Sequence, residues 1–315
     1  MAKSKRLSPY ATPSATREVL ERHGLYTKYA LGQNFLVNDD VVCKIVELAD
    51  LCDDDSILEV GPGIGTLTSA LLQTAGHVTS VEMDHDLPDV LRDTLAPWLD
   101  SFTLLEMDAL DLREEHLAKA LPDSGQDTAG TAGAALPNKL VSNLPYAVAA
   151  TIVLDYLQRF EFLQSATVMV QKEVADRMMA KPGTKTYGAY TVKLALCARP
   201  AGRFSVAPGN FFPPPHVESA VIRLDRSVVR DGEGRPLTPA ELKAACVMAD
   251  AAFATRRKTI ANSCKTYFSG NADTLAILPQ LLDQAGIDPR RRGETLSLDE
   301  FVRLGQVYGA LTLSR

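Results

Sequence analysis

From its amino end, the chain shows helical spacing over residues 16–23, and Val41, Val42, Ile45 and Leu48 repeat that spacing over 41–49. The period then changes. Residues 56–60, 77–81, 102–106, 139–142 and 166–171 are short, largely apolar runs of strand length, with helix-length stretches between the first four. Strands alternating with helices predict βαβ units, and so an α/β fold with a parallel sheet covered on both faces. Residues 122–137 are poor in bulky apolar side chains and rich in Gly, Ala, Ser and Thr, which predicts a flexible surface insertion. The polar, glycine-containing stretch 225–236 predicts a linker over 227–236. It would separate a larger domain, 1–226, from a small all-helical domain, 237–315. In that second domain Thr238, Pro239 and Glu241 form a capping box with proline at the first helical position. Ser297 and Glu300 form another, and Gly286 is placed to end a helix that begins near Thr274.

The composition, 315 residues with 46% hydrophobic and 23% charged, fits a packed chain of about two domains and excludes whole-chain disorder. Five cysteines are odd in number, widely spaced and without a CxxC, and the histidines do not cluster near them, so neither a metal site nor a disulfide framework is expected. Residues 1–14 lack the apolar core of a signal peptide, and no run of about eighteen apolar residues occurs, so a cytoplasmic protein with no membrane partner is expected. Net charge is −6, but it is unevenly placed: +4 over 1–38, −17 over 39–128 and +7 over 129–315. That division admits either a set of solvated faces or a basic groove for an anionic polymer.

The first candidate chemistry is the turn Glu59-Val60-Gly61-Pro62-Gly63-Ile64-Gly65, which joins a strand to a helix. Glycines let the backbone turn sharply and let a ligand approach its peptide groups. The pattern is GxGxG, and Thr66 stands where the last glycine of a dinucleotide fingerprint would fall. Glu82 ends the second strand and Asp108 the third, so turn and acids converge on the rim formed by the strand C-termini. One acid suits two ribose hydroxyls and the other an adenine amino group, while their charge repels phosphate. The ligand implied is an adenosine without pyrophosphate, a description that S-adenosylmethionine fits.

Asn143-Leu144-Pro145-Tyr146 follows the fourth strand. A side-chain amide oxygen and a carbonyl fixed by the following proline can accept both hydrogens of a planar exocyclic amine, aiming the nitrogen lone pair at an electrophilic methyl. Tyr146 offers a flat face for a base drawn out of its stack, as enzymes acting on bases require. Consecutive prolines make Phe211-Phe212-Pro213-Pro214-Pro215-His216-Val217-Glu218-Ser219 a stiff extended segment, expected to present Phe211 as the opposite wall of the base slot.

Together these residues resemble the rRNA adenine N6-dimethyltransferase family, most closely its bacterial, KsgA-type branch acting on small-subunit rRNA. The likeness spans nearly the whole chain: Leu31 to Leu36 (LGQNFL), Glu59 to Thr68, Glu82 to Asp84, Asp108-Ala109, Asn143 to Tyr146, Gln171 to Glu173, Tyr187-Gly188, Phe211 to Ser219, Phe253 to Asn262 (FATRRKTIAN) and Glu294 to Leu298 (ETLSL). It implies a Rossmann-like class I S-adenosylmethionine-dependent methyltransferase fold with a small helical C-terminal domain. The implied cofactor contacts are Gln33, Asn34 and Leu36 crossing over it, Gly61 and Gly63 in the turn, Glu82 and Met83 at the ribose, Asp108 and Ala109 at the adenine, and Asn143. Asn143 and the Leu144 carbonyl, held by Pro145, would grip the target amine between Tyr146 and Phe211. Arg256, Arg257 and Lys258 would meet phosphates of 16S rRNA within the 30S subunit, with the protein acting as a monomer and a late assembly factor.

His216, where lysine is common, and Lys28-Tyr29-Ala30, a less basic lead-in, depart from the family pattern. Three other readings stay open: a macrolide-resistance methyltransferase acting on the large subunit, an rRNA-binding assembly factor without turnover, and a dinucleotide-dependent oxidoreductase.

Overall fold

A computed structural model of the protein describes residues 6–27, 33–121 and 136–313. The departure at Lys28-Tyr29-Ala30, the residues Leu31 and Gly32, and all of the expected insertion except Leu136 and Pro137 lie outside the described residues. In chain order the elements are α1 (Pro13–Arg22), β1 (Phe35–Leu36), α2 (Asp39–Ala49), β2 (Ser56–Val60), α3 (Thr66–Leu71), β3 (His77–Glu82), α4 (Pro88–Thr94), β4 (Phe102–Glu106) and α5 (Glu114–Ala120). Then come β5 (Lys139–Asn143), α6 (Ala149–Arg159), β6 (Ser165–Gln171), α7 (Lys172–Met178), α8 (Ala189–Ala195), β7 (Ala198–Val206), β8 (Phe211–Phe212) and β9 (Ser219–Arg226). The chain ends in α9 (Pro239–Phe253), α10 (Ile260–Tyr267), α11 (Ala272–Gln284) and α12 (Leu298–Leu313).

The chain divides into two compact units. The first holds Met1–Ala175 and Pro200–Asp225 and is built on a seven-stranded sheet of order β4-β3-β2-β5-β6-β9-β7. From β4 to β6 neighbouring strands are parallel, in the βαβ arrangement that the alternating sequence pattern predicts. Every residue of β2 is buried, as a strand covered on both faces requires. The sheet is mixed, however: β9 joins β6 antiparallel, in register from Ser165↔Asp225 to Gln171↔Ser219. A separate two-stranded ribbon pairs β1 with β8, Phe35↔Phe212 and Leu36↔Phe211. One core cluster gathers Ile45 of α2, Ile57, Leu71, Val78, Val141 and Val221.

The second unit holds Asp176–Arg199 with Arg226–Arg315. It is larger than the helical domain expected over 237–315 because Tyr187 and Val192 are buried with Met248, Ile260, Phe301 and Leu304 in one core. The stretch expected to be a linker is an ordered hairpin. Arg230 and Pro236 form an antiparallel bridge, the Asp231 carboxylate accepts from the backbone N–H of Glu233 and Arg235 at 3.0 and 2.9 Å, and Leu237 is buried beside Leu196, Ala245 and Val302. Its polar composition satisfies a tight turn rather than a free tether.

Both capping boxes form: Glu241 N–H donates to Thr238 Oγ1 at 3.3 Å and Thr238 N–H to Glu241 Oε2 at 2.8 Å, and Ser297 and Glu300 exchange the same pair of bonds. Gly286, at φ +68°, follows the end of α11 in the left-handed conformation that stops a helix.

Candidate active site

Because β2 to β5 are parallel, their C-terminal ends share one rim. A cleft there is lined by Gln33 to Leu36, Glu59, Gly61, Pro62, Thr66, Leu67 and Asn143 to Tyr146. The turn from β2 to α3 carries three glycines, at φ +70° (Gly61, on the cleft wall), +59° (Gly63) and +83° (Gly65), where an L side chain is strained. A Cβ on Gly63 would stand 3.0 Å from the Phe35 ring. The Gly61 N–H donates to the Val81 carbonyl at 2.9 Å, tying the turn to β3.

Sequence reasoning left the carboxyl of Glu59 without a role. It is 1% exposed on the cleft wall, and its Oε2 accepts from Thr68 Oγ1 and Ser80 Oγ, both at 2.8 Å. Burial pushes this acid up to about 7, and the neighbouring Glu82 adds to the shift. The signal was present as a lone charged residue in the apolar run SILEV. Thr66, which also lines the cleft, has a buried hydroxyl with no hydrogen-bond partner in the protein. A buried hydroxyl without a partner in the protein, on a residue that lines a cleft, is one that a ligand can satisfy.

Glu82 is 8% exposed, and its Oε1 accepts from the N–H groups of Met83 and Asp84, both at 2.9 Å. The Gly63 N–H also donates to this carboxylate; burial raises its pKa while these three donors oppose the rise. Met83 is half-exposed, and Asp108 is exposed, its Oδ1 accepting from Leu110 N–H at 2.9 Å. Ala109 is buried and offers its carbonyl to the Tyr156 hydroxyl at 2.7 Å. The expected ribose and adenine residues therefore stand on neighbouring strand ends, outside the lining of the cleft itself. Gln33 leans toward them, donating from Nε2 to Asp84 Oδ2 at 2.7 Å.

Asn143, the last residue of β5, donates from Nδ2 to the Asn34 carbonyl at 3.3 Å. That bond uses the amide nitrogen and presents Oδ1 as the acceptor. The Leu144 N–H donates to the Met169 carbonyl at 3.2 Å, which fixes the peptide joining Asn143 to Leu144. Tyr146 is half-buried on the cleft wall.

Phe211 does not take the place expected of it. It is 3% exposed in the core with Leu36, Val41 and Val221, and it does not line the cleft. Side chains alternate along a strand, so pairing Phe211 with Leu36 turns Phe212 the other way, where the Arg17 guanidinium lies 5.0 Å from its ring centre.

In the second unit Arg256, Arg257 and Lys258 are all exposed. Arg256 is also a strut, with Nε 3.3 Å from Glu294 Oε2 and a guanidinium N–H donating to the Thr184 carbonyl at 3.3 Å.

Comparison with known proteins matches residues 25–303 to the family described as Ribosomal RNA adenine dimethylase. The chain is 39% identical over 294 residues to the Ribosomal RNA small subunit methyltransferase A of Enterococcus faecalis, covering 93% of this chain and 94% of that protein. It is 36% identical over 295 residues to the protein of the same name from Staphylococcus aureus, again covering 93% and 94%. Two solved structures share the fold: the 23S rRNA methyltransferase ErmE (TM-score 0.61, 24% identity, 87% of this chain and 99% of that one) and a dimethyladenosine transferase from Plasmodium falciparum (TM-score 0.65, 21% identity, 86% and 95%).

Proposed function

Since the chain belongs to the ribosomal RNA adenine dimethylase family, we propose that its substrate is 16S rRNA within the 30S subunit. There it converts two adjacent adenosines in the loop of the 3′-terminal helix to N6,N6-dimethyladenosine, late in subunit assembly. Identities of 36–39% to relatives named for the small subunit, over nearly their full length, support this target over the large subunit. A small-subunit substrate places the work in the cytoplasm, and we take the acting form to be a monomer.

The observation that carries the reading is the orientation of Asn143. With Nδ2 committed to the Asn34 carbonyl, Oδ1 is turned to accept one hydrogen of the target amine, and the Leu144 carbonyl takes the other. Two acceptors on the two hydrogens direct the nitrogen lone pair out of the purine plane. They also favour the tetrahedral nitrogen that forms as it attacks, because its hydrogens become more positive. No strong base is needed beforehand, since the proton becomes acidic only once the new N–C bond exists. The Tyr146 ring supplies the stacking surface for the extruded base.

The residues present fit S-adenosylmethionine. The unpartnered Thr66 hydroxyl and the Gly61 turn suit its amino-acid end, Glu82 its ribose hydroxyls, and Asp108 its adenine, with Met83 and Ala109 alongside. When bound, it supplies a methyl group on an electrophilic sulfonium. Arg257 and Lys258 suit rRNA phosphates.

The test is methyl transfer from labelled S-adenosylmethionine to small subunits lacking the modification, with naked rRNA and large subunits in parallel. Two methyls on each of two adjacent adenosines of the small subunit are expected. Label in the large subunit, or binding without transfer to any of the three, overturns the proposal.

A further inference from the structure

Ser219, the last residue of the proline segment, opens β9, and its side chain is fully buried. Its backbone is in register with Gln171 at the end of β6, and its Oγ shares a short hydrogen bond with the phenol oxygen of Tyr146. Since β6 lies between β5 and β9 in the sheet, the Tyr146 side chain reaches across the end of β6, anchored by its backbone after β5 and by its hydroxyl at β9. We propose that Ser219 is a positioning residue: its hydroxyl fixes the direction in which the Tyr146 side chain points, and so the place of the ring against which the target base lies.

The inference rests on the reading that Tyr146 stacks on the base, and goes beyond it. A tyrosine on a cleft wall held only at Cα would keep rotational freedom about its side-chain torsions and lose it when a base arrives. A second anchor at the far end of the ring restricts the swing of the side chain in advance, so that stacking costs less order and the base meets the ring at a fixed place. The partner is suited to the task. It lies in a strand held by a seven-residue register against β6, so the anchor is rigid. Burial pushes the Tyr146 phenol above its ordinary pKa, keeping it a neutral hydroxyl that can exchange a hydrogen bond with another hydroxyl.

The experiment compares Ser219→Ala, Tyr146→Phe, the double variant and Tyr146→Ala on unmodified small subunits, measuring kcat, KM for subunits and Kd for S-adenosylhomocysteine. Tyr146→Phe and Ser219→Ala should each lower kcat by about 3- to 10-fold, the range a neutral hydrogen bond supplies. The double variant should be no worse than either single one, because both remove the same bond. KM and Kd should stay within about twofold, since contacts elsewhere hold the subunit while the position of the ring governs reaction of the bound base.

Wild-type kcat in Tyr146→Phe, additive losses, or a loss confined to KM or Kd overturns the inference. Tyr146→Phe settles the question even if Ser219→Ala does not fold. Tyr146→Ala separates the two claims. Full activity there removes the stacking reading itself, whereas a dead Tyr146→Ala beside an unimpaired Tyr146→Phe leaves stacking in place and removes only the role of Ser219.

Discussion

A buried carboxyl whose pKa stands above its unfolded value makes stability depend on pH. Glu59 rises from 4.5 to about 7, so between those values the folded protein holds more protons than the unfolded chain. Its contribution is full below about pH 4.5 and is lost as pH rises through 7. Relative to Glu59→Gln, wild type should therefore lose up to roughly 3 kcal/mol between pH 4.5 and 8 in urea unfolding; a pH-independent difference would refute the raised acid. Asn143→Ala should lower methyl transfer at least about 100-fold while S-adenosylhomocysteine affinity stays within about threefold, because the lost group acts on the amine. Calorimetric titration beside a methylation assay checks both halves. At this scale much was legible: Asn143, Glu82 and the glycines stand where strand ends place them. Phe211 was misread because Phe211-Phe212 offers two adjacent aromatics, and only strand pairing decides which one faces inward. Glu59 was passed over because its two hydroxyl partners come from two other elements, α3 and β3, which only the fold brings to it.

At the scale of elements, the parallel strands announced themselves as apolar runs, and both the buried β2 and the edge strand β4 fall at their expected bounds. β7 did not, for its residues ARPAGRFSV lie on a sheet edge with only the first and last of them buried, where neither alternation nor an apolar run is required. Helix packing in the second unit depends equally on distant partners. Gly305 of α12 crosses α9 so closely that a Cβ would stand 2.6 Å from the Ala245 nitrogen, a backbone atom that cannot yield cheaply. Gly305→Ala should destabilise the second unit by about 1–3 kcal/mol, read as a lowered denaturation midpoint. Stability equal to wild type would mean that the crossing can open at no cost.

Across the whole molecule, charge and domain membership behaved differently as signals. The acidic stretch 39–128 and the basic stretches around it could be counted directly. Membership of 176–199 in the second unit could not, because local patterning shows that a helix has an apolar face but not which of two cores receives it. Arg257 and Lys258 supply the cleanest probe of the basic side, since Arg256 also braces its own unit through Glu294. Replacing Arg257 and Lys258 with alanine should reduce the slope of log affinity for subunits against log salt by about 1 to 2. An unchanged slope would move the phosphate contacts elsewhere. The β1–β8 ribbon carries a last consequence. Gln33 and Asn34, which line the cleft, lead directly into one of its strands and Pro213 leaves the other, so on the proposed function the chain over the methyl donor and the proline segment following Phe212 are joined through one ribbon. Donor and acceptor should therefore tighten each other's hold, and by thermodynamic reciprocity the factor by which subunits sharpen S-adenosylhomocysteine binding must equal the factor in the opposite direction.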